Sequence, residues 1–81
     1  MRVTIRLFAR LRDIAGASEL VREAPGGATV GAVWASLVSD FPELSPYERS
    51  ISCAINADYS RFTATVSEDD EIAFLPPVSG G

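Results

Sequence analysis

The chain has 81 residues, a hydrophobic content of 47% and a formal net charge of −4, enough for one small domain that buries a little over ~60% of the surface its unfolded chain exposes. The acidic balance works against attraction to nucleic acid or to an anionic membrane. Histidine is absent and Cys53 is the only cysteine, which removes the commonest general base, the commonest transition-metal ligand and any intramolecular disulfide or paired-cysteine redox site.

Residues 3–8 alternate with the period of a strand, with Val3, Ile5 and Leu7 on one face and Thr4, Arg6 and Phe8 on the other. The arginines at 2, 6, 10 and 12 break any apolar run that a signal peptide would need. No stretch approaches the ~18 apolar residues of a membrane span, so the chain is read as cytoplasmic. Residues 9–15 predict a short helical turn closed by Gly16. A second strand over 19–24 follows, ended by the breakers Pro25-Gly26-Gly27 and paired antiparallel with the first.

Thr29 is placed to cap a helix over residues 30–41. Within it Val30, Val33, Trp34, Leu37, Val38 and Phe41 form one apolar stripe, and Pro42 stops the helix. Residues 42–50 carry no periodic pattern and are read as a loop. A third strand over 51–57 turns Ile51, Cys53 and Ile55 inward, and Asn56-Ala57-Asp58 supplies turn chemistry. Residues 62–66 are expected to form a fourth, edge strand. Glu68-Asp69-Asp70-Glu71 reads as a solvated acidic turn before a last strand over 72–75. The resulting α+β order lays one main helix across one face of a mixed four- to five-stranded sheet and leaves the other face bare.

Phe8 and Leu75 have the parity of that bare face, with Tyr59 beside them, and are expected to form an exposed apolar patch suited to a partner. Trp34 and Cys53 are read as core. Pro76-Pro77-Val78-Ser79-Gly80-Gly81 then forms an extended tail. The span from Leu75 to Gly81 is roughly 20 Å at ~3.3–3.6 Å per residue, and the two prolines favour polyproline geometry, which lowers the entropy lost on threading. Gly80 and Gly81 lack Cβ atoms, so the terminal carboxylate fits a narrow channel. All seven basic residues are arginine, so no isopeptide chain can grow on a lysine of this protein. No metal-ligand cluster, nucleophile–base pair or phosphate loop is recognisable in the sequence.

Leu7-Phe8-Ala9-Arg10-Leu11-Arg12-Asp13, the helix opening Thr29-Val30, Glu71-Ile72-Ala73-Phe74-Leu75-Pro76-Pro77 and the end Ser79-Gly80-Gly81 together resemble the β-grasp, ubiquitin-like sulfur carriers. Within that group they resemble the small subunits of molybdopterin synthase. The resemblance covers the whole length as a single domain, 1–81, with the tail at 76–81. One departure lies in the acidic turn, where the family commonly has glycine and this chain has Asp69, a residue that tolerates the left-handed conformation.

The resemblance implies a β-grasp fold and a role for Gly81, with Gly80 before it, as the working end. An ATP-dependent, E1-like enzyme adenylates the Gly81 carboxylate, and a sulfur donor such as a cysteine desulfurase or a rhodanese-like protein converts it to a thiocarboxylate. The sulfur then passes to a cyclic pyranopterin precursor inside a heterotetramer with the large synthase subunit, which holds most of the substrate-binding groups. ATP is the only nucleotide implied, used by the activating enzyme, and no cofactor is expected on the chain itself. Partner contact is expected from Phe8, Arg12, Tyr59, Leu75, Pro76, Pro77 and Val78. Alternatives are a carrier for the thiamine or another sulfur pathway, a ubiquitin-like modifier joined to target lysines, and a plain interaction module.

Overall fold

The computed structural model describes residues 1–77, in the order β1 (Arg2–Leu7), α1 (Ala9–Ala15), β2 (Glu19–Glu23), α2 (Val30–Asp40), a 3-10 helix (Pro42–Tyr47), β3 (Ser52–Ile55), β4 (Asp58–Ser60) and β5 (Glu71–Leu75). The strands form one mixed sheet in the order β2-β1-β5-β3-β4. The central pair β1 and β5 is parallel and the others are antiparallel. Parallel neighbours need a long crossover, and here everything between β1 and β5 in sequence supplies it.

The predicted stripe of α2 is buried through Val30, Val33, Trp34 and Leu37, packed with Val3, Ile5, Leu7, Cys53, Ile72 and Phe74 from the sheet. Trp34 lies with its ring centroid 5.0 Å from that of Phe74, and Phe62 meets Phe74 edge-on at 6.2 Å. Such tilted pairs add to the stabilisation from burial alone. Thr29 caps α2 as expected, its hydroxyl accepting from the Ala32 backbone N–H at 3.1 Å. Gly16 ends α1 at φ +75°, its N–H bonded to the Arg12 carbonyl at 2.8 Å.

Three expectations are corrected. The fourth strand is Asp58–Ser60, not residues 62–66. The Asn56-Ala57 turn is only two residues long, with both φ positive (50° and 74°), so the chain folds straight back on β3 as a tight hairpin. Residues 62–66 instead run to the start of α2, where the carbonyls of Phe62 and Ala64 accept from the N–H groups of Gly31 and Val30 at 2.9 Å each. They satisfy donors that every helix N-terminus leaves unpaired. Gly31 eases this approach, because a Cβ there would sit 3.3 Å from the Phe62 carbonyl oxygen, a close contact that the neighbouring segment would have to yield to by a few tenths of an ångström.

The expected loop after α2 contains the 3-10 helix, with Pro42 opening it and Leu44 fully buried. One buried side chain in six residues is too sparse for a periodic signal. The acidic turn is also more than a solvated loop. Glu68 accepts the Arg2 N–H at 2.7 Å, while Asp70 accepts the Ser67 N–H at 2.7 Å and the Asn56 side-chain amide at 2.9 Å. Asp69 takes the left-handed conformation foreseen for it, at φ +66°, and its N–H donates to the Arg2 carbonyl at 2.7 Å.

Candidate functional site

The sheet face away from α2 is organised by strand register. One row crosses all five strands, with Glu19 opposite Arg6, Arg6 opposite Ala73, Ala73 opposite Ala54 and Ala54 opposite Tyr59. The neighbouring level, toward the C-terminal end of β5, holds Leu75 opposite Ser52, and Phe8 at the exit of β1. Two alanines at the centre of a row ringed by larger side chains leave a trough of ≈290 Å³ between Arg6, Phe8, Tyr59 and Leu75. Phe8 and Leu75 also wall a second hollow of ≈490 Å³, completed by Ala9, Arg10, Tyr47, Pro76 and Pro77. The tail therefore leaves the domain at the ridge between two largely apolar depressions.

Phe8 is 39% exposed and Tyr59 81% exposed, unusual for large apolar or aromatic side chains. Around this apolar floor the charges are already matched. The Arg6 guanidinium lies 3.9 Å from a Glu19 carboxylate oxygen and 3.6 Å from one of Glu71, with its Cζ 6.0 Å from the Phe8 ring centroid. Contacts this exposed are worth little energetically. Phe8 is placed by a backbone reversal: it is extended at φ −128°, and Ala9 then enters α1 at φ +51°.

Of the residues singled out in the sequence, Phe8, Tyr59, Leu75, Pro76 and Pro77 are brought together around the two hollows. Arg12 is not. Its guanidinium is exposed, 4.0 Å from the carboxylate of the adjacent Asp13, and lines neither depression. Val78, Gly80 and Gly81 lie outside the described residues. Ala54, Ala73, Tyr47 and Arg10 went unnoticed in the sequence although they line the site. The parity of Ala73 with Leu75 was a usable signal. Ala54, alternating with the inward Cys53 and Ile55, carried the same signal; Tyr47 had none, because its place beside Phe8 and the prolines depends on where the 3-10 helix packs.

Cys53 faces the core at 2% exposure, its thiol 3.3 Å from the Ser60 carbonyl oxygen. Burial pushes its pKa up, since the thiolate would lose hydration. It is a packed side chain and takes no part in the exposed site.

The family profile described as the ThiS family matches residues 5–81. The chain belongs to the ThiS family. Among curated proteins, the molybdopterin synthase sulfur carrier subunit of Arabidopsis thaliana is 35% identical over 79 residues, covering 98% of this chain and 82% of that protein. The corresponding protein of Chlamydomonas reinhardtii is 30% identical over 83 residues, with both chains fully covered. Among solved structures, small archaeal modifier protein 1 of Haloferax volcanii superposes with a TM-score of 0.86 at 30% identity over the whole of both chains. The α+β arrangement of this ThiS-family member is thus the β-grasp fold. No described helix is long and apolar enough to cross a membrane.

Proposed function

We propose that this chain is the sulfur carrier subunit of a molybdopterin synthase, bearing its sulfur as a thiocarboxylate on Gly81. The end-to-end likeness to curated proteins of that name carries the reading. The geometry of the described residues supports it, because the tail springs from the rim of an apolar face large enough to seat a partner.

In this reading the chain itself is not the catalyst. A carboxylate is a poor electrophile, so an ATP-dependent enzyme first converts Gly81 to an acyl-adenylate with release of pyrophosphate. A persulfide-bearing donor then displaces AMP to give an acyl persulfide, and a second thiol of the donor cleaves its S–S bond, leaving the thiocarboxylate on Gly81 and a disulfide on the donor. The large synthase subunit docks on the trough around Phe8, Tyr59 and Leu75 and receives the tail through Pro76, Pro77 and Val78. The thiocarboxylate sulfur attacks a carbon of the pterin precursor there and displaces an oxygen substituent, and water then cleaves the acyl–sulfur bond, returning the Gly81 carboxylate and leaving the sulfur on the pterin. A dithiolene takes two sulfurs, so the carrier acts twice.

The decisive experiment is the intact mass, and the mass of the C-terminal peptide, after incubation with ATP, the activating enzyme and a sulfur donor. Replacement of one oxygen by sulfur on Gly81 is expected. An unchanged mass beside an activating enzyme proven active on another carrier overturns the reading. A second reading, protein modification, is favoured by the likeness to small archaeal modifier protein 1. It predicts ATP- and Gly81-dependent covalent adducts on other proteins. Because this chain has no lysine, such adducts would not be extended through lysines of the attached copy.

A further inference from the structure

The tail face accounts for one side of the sheet but not for its edge. β2 is an outermost strand. Its ladder to β1 is closed by bonds from Leu7 N–H to the Ser18 carbonyl (2.9 Å) and from Ala24 N–H to the Met1 carbonyl (2.7 Å). In an antiparallel pair the bonded residues alternate, so Ser18, Leu20, Arg22 and Ala24 bond inward. Glu19, Val21 and Glu23 turn their N–H and C=O groups outward. No other described residue pairs with those groups. The opposite edge, β4, is only three residues long, so β2 is the longer open template.

Two further features lie along this edge. Val21 is 58% exposed, with Glu19 and Glu23 on either side of it on the same face. Their carboxylates make only long contacts, 3.9 Å to Arg6 and 3.7 Å to the N-terminal amine, and both side chains stay more than half exposed. On the other face a hollow of ≈120 Å³ opens between β2 and α2, floored by Ala28, Ala32 and Val33. Arg22 stands at its rim, held to Ser36 at 3.2 Å and to Asp40. An added strand would set alternate side chains over the acidic face and over this apolar hollow.

Charge selects the occupant. If β2 paired antiparallel with a second copy centred on Val21, Glu19 would face Glu23 of that copy at both ends, a like-charge arrangement that destabilises cross-strand pairing. A segment with basic residues at those positions would instead be attracted at both. We propose that the β2 edge is a second docking site, which takes an extended segment of another protein by strand addition, the segment carrying lysine or arginine opposite Glu19 and Glu23 and an aliphatic side chain over the α2 hollow. Such a strand lies in the plane of the sheet, so the trough at Phe8 and Leu75 stays open and both sites are filled together.

The test uses the full chain, isotope-labelled for NMR, titrated with the blocked peptide Ser-Lys-Val-Thr-Ile-Lys-Ser to roughly millimolar concentration. Shifts centred on the amides of Glu19, Val21 and Glu23 are expected, weakening as salt is raised. Two variants decide the mechanism. V21P removes an outward N–H that the β1 ladder does not use, a tolerated place for proline, and should abolish binding while the remaining spectrum stays folded. The double variant E19K/E23K should weaken binding about tenfold, in line with two lost cross-strand charge pairs, and should gain affinity for the same peptide with glutamate in place of lysine. Absence of shifts on β2, shifts confined to Phe8 and Leu75, or unchanged binding by a folded V21P protein would each overturn the proposal.

Discussion

Truncation of Phe8 separates the docking role of the tail face from its structural role. A phenylalanine side chain has roughly 200 Å² to bury, and at 39% exposure about 80 Å² of it remains for a partner to cover. At ~25 cal/mol per Å² that is about 2 kcal/mol, or roughly a thirtyfold change in Kd. The part already covered in the free chain sets the folding penalty of Phe8→Ala at roughly half the ~3–5 kcal/mol of a fully buried phenylalanine. Calorimetric titration of the large synthase subunit, beside thermal unfolding of the carrier alone, reads the two terms separately. The reasoning predicts a folded protein of lower Tm that binds about thirtyfold more weakly. A folded Phe8→Ala protein with Kd changed less than about threefold would refute the assignment of this face.

Four other outcomes follow from the same geometry. Ala73→Leu fills the trough from its floor without touching the core, so Tm should hold while binding of the large subunit drops at least about tenfold. Arg12→Ala, which lines neither hollow, should shift that Kd by less than about threefold, as for a solvated charge; a larger effect would place a partner contact on α1. Ala57→Gly relieves a left-handed alanine at φ 74° and completes an Asn-Gly turn; a gain of about 1 kcal/mol, or about 4–8 °C in Tm, is expected by calorimetry. Cys53 should resist a thiol reagent in the native protein and react on unfolding. Because burial raises its folded-state pKa, its contribution to stability is intact below the unfolded thiol pKa and is lost as pH rises through the folded value. Alkaline denaturation curves of the parent and of Cys53→Ala should therefore converge toward high pH.

Local rules made several elements legible without a fold. The stripe from Val30 to Phe41, the Thr29 cap, the Gly16 stop and the alternation of β1 were all visible, because each depends on neighbours within a few residues. The left-handed turn at Asp69 was legible only through the family resemblance, in which glycine commonly stands there. The run Phe62-Thr63-Ala64-Thr65-Val66 misled, since it has strand composition but spends its carbonyls on the N-terminus of α2. Propensity reports what a segment tolerates, and long-range donors decide what it does.

By itself, the sequence determined the family and the core of the helix. The absence of histidine and lysine and the glycines at 80 and 81 constrain reactivity whatever the fold. Only the tertiary structure decided which side chains share a surface. Ala54 and Ala73 lie 19 positions apart in sequence and face each other because β5 inserts between β1 and β3. That insertion opens the trough, sets Phe8 beside Leu75 and leaves β2 outermost among the described strands. Strand order is fixed by how one core closes, a sum of contacts over the whole chain, and no local pattern carries it.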